Sequence, residues 1–237
     1  MRRLIGTLSL LAALCTLPGC PEMQNQDALF NPEDIHEISL VGQGLPAEEG
    51  VKKIHEALMA KYPGLIKKDL DWTFNFTGAT MAQMTLLYAS TKEYILIFGT
   101  PVGSDGFSGR YPGMKVWDCM FAGEMWTFTE GQYEKTTYLP GECAILEPGM
   151  GKGYRMMEGT WMLEYTRGDI PAALPIGVFA PTQLTQDWDN AWRTMKNYAE
   201  RVADSALKAK QREDAKGLGA SESSTPAINA SQVRARP

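Results

Sequence analysis

From Glu93 to Thr166 the chain is a succession of short runs with strand character: Glu93–Thr100, Met114–Phe121, Glu124–Thr129, Tyr133–Leu139, Cys143–Glu147, Tyr154–Met157 and Thr160–Thr166. Gly or Pro marks the breaks between them, as at Pro112-Gly113, Gly123, Gly131, Pro140-Gly141, Pro148-Gly149 and Gly159. Strands this close together point to an antiparallel sandwich or barrel. The flanks read differently. Ala47–Tyr62 places Val51, Ile54, Ala57 and Leu58 on one helical face. Asp71–Gly78 alternates as a strand, and Ala79–Ser90, rich in Met, Leu and Ala, reads as a buried helix. Ile170–Gln186 is uncharged and holds Pro171, Pro175 and Pro181. Asp187–Lys208 reads as a long helix with Trp188, Ala191, Trp192, Met195 and Val202 on its apolar side and Asn190, Arg193 and Lys196 on the other. Residues 211–237 turn polar and read as a disordered tail.

The N-terminus reads as an address. Arg2-Arg3 precede an uncharged stretch, Leu4–Leu17. It is shorter than the roughly 18 apolar residues of a membrane span and has the length of a signal h-region. The following Leu17-Pro18-Gly19-Cys20 resembles a bacterial lipobox, with lipidation at Cys20, and a short membrane anchor is the competing reading. Either way residues 1–20 tether the domain to a membrane, and residues 21–35 form a polar spacer.

Composition narrows the chemistry. A net charge of −5 over 237 residues argues against a nucleic-acid partner. Two histidines, His36 and His55, leave no three-histidine metal site. Four cysteines are too few and too scattered for a zinc site or a disulfide scaffold; with Cys20 acylated, Cys119 and Cys143 remain as residues able to pair in an oxidising compartment. Two carboxylates stand out instead. Asp118 lies in Val116-Trp117-Asp118-Cys119-Met120-Phe121, and Glu164 in Trp161-Met162-Leu163-Glu164-Tyr165. Alternation puts Asp118 on a face with Val116 and Met120, and Glu164 on a face with Met162. That face is either solvated or turned into an apolar interior. In an interior, desolvation and mutual repulsion force at least one of them to keep a proton near neutral pH, as general acid–base chemistry requires.

Three segments carry a resemblance to a known family. The first is Glu93-Tyr94-Ile95-Leu96-Ile97-Phe98-Gly99-Thr100, continuing to Gly103-Ser104 and Ser108-Gly109-Arg110-Tyr111. The second is Tyr138-Leu139-Pro140-Gly141-Glu142. The third is Thr160-Trp161-Met162-Leu163-Glu164-Tyr165 with Arg167-Gly168-Asp169-Ile170-Pro171, followed by Thr185-Gln186-Asp187 and Asn197-Tyr198-Ala199. In order, they resemble the family that joins the fungal sterol C-8 isomerase and the sigma-1 receptor, over roughly Glu33 to Ala203.

The resemblance implies a mainly β fold with flanking helices over residues 36–210, a jelly-roll-type, cupin-like β-barrel whose mouth C-terminal helices cover beside a membrane. It implies that Asp118 and Glu164 reach into the pocket as the catalytic pair, with Tyr94 hydrogen-bonded to the glutamate. The implied lining is Met84, Leu86, Leu96, Phe98, Val116, Met156, Ala173, Leu174 and Tyr198. The implied activity is a cofactor-independent shift of a sterol ring double bond from Δ8 to Δ7; the alternative is a non-catalytic binder of sterols or hydrophobic amines. Neither reading needs a metal. A homotrimer is implied, on an endoplasmic-reticulum-type membrane unless Cys20 makes the chain a bacterial lipoprotein. The chain departs from the family pattern at Thr80, where a bulky aromatic is expected, and at Phe107, where a histidine is common.

Overall fold

The computed structural model describes residues 28–222, with side chains described through residue 214. The leader or anchor expected at 1–20, with Cys20, lies outside the described residues, as do most of the spacer and the chain beyond 222. Helix α1, Pro32–Leu40, starts inside the expected spacer and corrects it. The reason is a capping sequence: the Asn31 side chain accepts from the Glu33 N–H at 3.2 Å, Pro32 opens the first turn, and Glu33 and Asp34 sit at its electropositive end. Helix α2, Ala47–Lys61, buries Val51, Ile54 and Leu58 at helical spacing.

Among the described residues ten strands follow: β1 (Trp72–Asn75), β2 (Ala82–Ala89), β3 (Glu93–Thr100), β4 (Ser104–Phe107), β5 (Met114–Ala122), β6 (Met125–Phe128), β7 (Thr136–Tyr138), β8 (Cys143–Leu146), β9 (Gly153–Met156) and β10 (Thr160–Gly168). They form two antiparallel sheets, ordered β1-β2-β3-β10-β5-β8 and β4-β9-β6-β7. The fold is thus mainly β with flanking helices. The two sheets share an apolar interior rather than one continuous ladder. The helix expected over Ala79–Ser90 is strand β2. Met and Leu there favour a helix locally, but pairing with both β1 and β3 overrides that preference. Strand β4, Ser-Asp-Gly-Phe, has little strand character of its own and is held by pairing with β9.

Alternation along the large sheet sorts its side chains. Ile95, Ile97, Leu163 and Tyr165 pack with Ile35, Ile38, Ile54 and Leu58 of the two helices. Leu96, Phe98, Met120 and Met162 pack on the opposite face with Met125 and Met156 of the small sheet. Both faces of the central strands are therefore covered. A disulfide joins Cys119 and Cys143, register partners in β5 and β8.

After β10 the chain makes a 3₁₀ turn at Ile170–Ala173 and a π turn at Pro175–Phe179, then helices α3 (Ala180–Thr185) and α4 (Trp188–Glu222). Helix α4 continues past Gln211, which corrects the disordered tail over 211–222. Its polar side docks on the open edge of β1. The Asn190 side chain accepts from the Phe74 N–H and donates to the Phe74 carbonyl, both at 2.8 Å, and Arg193 donates to the Trp72 carbonyl at 2.7 Å. These bonds satisfy backbone groups that an edge strand leaves unpaired. Trp188 and Trp192 stay 69% exposed.

Gly168 ends β10 at φ 140°, where an added Cβ would lie 1.9 Å from the Gly113 carbonyl oxygen. Gly168→Ala is expected to lower the unfolding free energy by about 2–4 kcal/mol through this backbone collision. Urea unfolding checks it, and an unchanged midpoint contradicts so close an approach.

Candidate active site

The sheets and the C-terminal turns line a cavity of about 180 Å³. Its wall is largely apolar. Met84, Leu86, Leu96, Phe98 and Val116 line it from the large sheet, Ala173 and Leu174 from the turns, and Tyr198 from α4. Met156 does not line it; this side chain is fully buried in the apolar cluster behind the wall.

Asp118 and Glu164 both point into this cavity. They are direct register partners on β5 and β10, so alternation puts their carboxyls side by side. Hydration from the back is impossible, because the next residues along each strand, Trp117, Leu163 and Tyr165, belong to the helix-covered face. Asp118 is only 7% exposed. Tyr94, on β3, donates to Glu164 Oε1 at 2.5 Å. The Tyr94 hydroxyl is held well above its ordinary pKa, first by burial and then by the Glu164 charge, and remains a donor.

The residue the sequence reading missed is Lys152. Its Nζ donates to Asp118 Oδ2 at 2.5 Å, with both side chains under a tenth exposed. Nothing in Gly151-Lys152-Gly153 marks a buried residue, since a lysine between glycines has the look of a solvated turn. The signal is tertiary. The Lys152 N–H donates to Ser108 Oγ at 2.9 Å and the Ser108 N–H to the Lys152 carbonyl at 3.0 Å, clamping the segment on the turn after β4. Thr80 has a similar tertiary use. It is fully buried and shares a 2.5 Å hydrogen bond with the Tyr154 hydroxyl, where a larger side chain would strike Gly106 and Tyr154.

The electrostatics follow from this geometry. Burial pushes Glu164 up to about 8, repulsion from Asp118 adds to the rise, and the Tyr94 hydrogen bond and the Lys152 charge oppose it. Beside it, Asp118 and Lys152 form an ion pair. The arrangement is a carboxylic acid, a carboxylate and an ammonium at one end of an apolar chamber. It can donate a proton, accept one, and face a positive intermediate with negative charge.

A family model described as "ERG2 and Sigma1 receptor like protein" matches residues 6–210. The chain belongs to this family. It is 39% identical over 153 residues to a protein erg2 homolog of Dictyostelium discoideum, a match covering 65% of this chain and 65% of that protein's length. It is 33% identical over 204 residues to sigma non-opioid intracellular receptor 1 of Xenopus tropicalis, covering 85% of this chain and 91% of the receptor. It is 32% identical over 186 residues to the C-8 sterol isomerase erg2 of Aspergillus fumigatus, covering 77% of each. Among solved structures, KdgF from Halomonas sp. matches 44% of this chain and 92% of its own, at 14% identity and a TM-score of 0.37.

The raised pKa of Glu164 has a stability consequence. Its folded-state value, about 8, exceeds the ordinary 4.5, so its contribution is fully present below about pH 4.5 and is lost as pH rises through about 8. Unfolding free energy is expected to fall across that window by an amount on the order of a few kcal/mol, and Glu164→Gln is expected to remove most of the slope. Urea midpoints at several pH values check this; equal slopes in the two proteins contradict it.

Proposed function

We propose that the cavity is the active site of a cofactor-independent sterol isomerase that moves a ring double bond from C8–C9 to C7–C8. The observation that carries this reading is the Asp118–Glu164 register pair inside an apolar chamber, with Asp118 bound to Lys152. Membership of a family that includes a protein named C-8 sterol isomerase supports it.

Glu164 gives its proton to C9, and the positive charge develops at C8. The two carboxylates now face that cation in a medium of low dielectric, where their attraction is strong. Asp118 removes a proton from C7, forming the C7–C8 double bond. A proton beside a carbocation is acidic enough that an ion-paired carboxylate serves as the base. The proton then passes from Asp118 to Glu164 across their contact and restores the starting state. One proton enters the ring and one leaves, with no change of oxidation level.

The mouth supports delivery from a membrane. Phe179, Leu184, Trp188 and Trp192 of the C-terminal cover are each more than half exposed, a surface suited to a lipid interface. Among the described residues no helix is long and apolar enough to cross a membrane. The second reading is a receptor-like binder using the same cavity, favoured by the 91% coverage of the Xenopus receptor.

Turnover in heavy water separates the two. The purified protein, given a Δ8 sterol, is expected to yield Δ7 sterol carrying one solvent deuterium at C9, and Glu164→Gln to slow this about 10²–10⁴-fold. Sterol that binds and is recovered without deuterium contradicts the isomerase and leaves the binder.

A further inference from the structure

Lys152 has no step in this proton path, yet it is built into the cavity wall. A lysine is rarely buried this deeply without a partner, and here the partner is Asp118 at 2.5 Å. The charged and titratable groups at this end of the cavity are Lys152, Asp118 and Glu164, with the phenols of Tyr94, Tyr111 and Tyr154 around them. Two facing carboxylates that share one proton carry one negative charge. Such a site attracts a hydrophobic ammonium ion, which supplies the missing cation. With Lys152 in place the cation is already supplied by the chain, and the resting charge of this end is zero.

We propose that Lys152 is a specificity-determining residue that makes the polar end of the cavity charge-neutral, so that it takes uncharged apolar molecules bearing a single oxygen function and rejects hydrophobic ammonium ions. The attractive part is a donor. An ammonium has three N–H groups, Asp118 accepts from one, and a ligand hydroxyl or carbonyl oxygen accepts from another. The repulsive part is a like charge. An ammonium brought against Glu164 meets the Lys152 charge across a medium that screens poorly. Of the two ligand classes that the family resemblance implies, Lys152 selects the neutral one. The inference rests on the reading of this cavity as the ligand site.

The test compares two probes of one skeleton, dodecanol and N,N-dimethyldodecylamine, below their aggregation concentrations. Each is titrated into the wild-type chain, Lys152→Met and Lys152→Gln. Met removes both charge and donors; Gln removes the charge and keeps a donor to Asp118, which preserves a foldable variant should Met not fold. The wild type is expected to prefer the alcohol, and the preference to shift toward the amine by about tenfold or more in each folded variant. A wild type that binds the alcohol, with a ratio that stays within about twofold on substitution, overturns the role of Lys152 and leaves the cavity reading intact. A wild type that binds neither probe overturns both.

Discussion

Asp118 stands opposite Glu164 in a sheet that is covered on both faces, and the character of the cavity depends on that register. A pair of strand carboxylates on an ordinary half-exposed sheet would be hydrated and both would ionise. Here helices α1 and α2 close the outer face, the small sheet closes the inner one, and the C-terminal turns cover the mouth. Two negative charges cannot persist side by side in such a place without compensation. The chain supplies two kinds, a proton kept on Glu164 and the ammonium of Lys152. A one-residue slip of β5 against β10 would turn Asp118 into the helix-packed core and leave Glu164, held by β3, on the cavity side, so the register is specified by the hydrophobic pattern around it.

The other buried carboxylate on these strands shows the difference. Glu93 lies on the helix side at the start of β3, where Tyr165 donates to Oε2 and the Leu29 N–H to Oε1, each at 2.8 Å. Its oxygens are committed to structure. Glu164 has one phenol donor, lies against Asp118 and otherwise opens on the cavity. Both are glutamates in apolar strands, and only the face on which each lies separates a tie within the fold from a group able to do chemistry.

Much of this was legible in the sequence. The strand-rich middle, helix α2 and strands β3, β5 and β10 follow from Gly and Pro punctuation and from alternation. The same alternation put Asp118 with Val116 and Met120, and these do share the inner face. Pattern alone did not reveal whether that face was wet, because an inward face and a solvated face have the same period. Strand β2 was hidden by its methionines and leucines, whose local preference yields to two neighbouring strands. The polar side of α4, which looked like a solvated flank, closes the edge of β1 through Asn190 and Arg193. Lys152 was illegible because its burial arises from a contact with Ser108, distant in the chain, and from a partner on another strand.

The central claim is that Glu164 keeps a proton at neutral pH beside the Asp118–Lys152 ion pair. Isotope-edited infrared spectroscopy of the ligand-free protein, with ¹³C-labelled glutamate, reports this directly. The account predicts a protonated-carboxyl band at neutral pH that is missing from Glu164→Gln and titrates away near pH 8. A Glu164 carboxyl already ionised at neutral pH, or a protonated band that follows labelled aspartate and vanishes in Asp118→Asn, would contradict it.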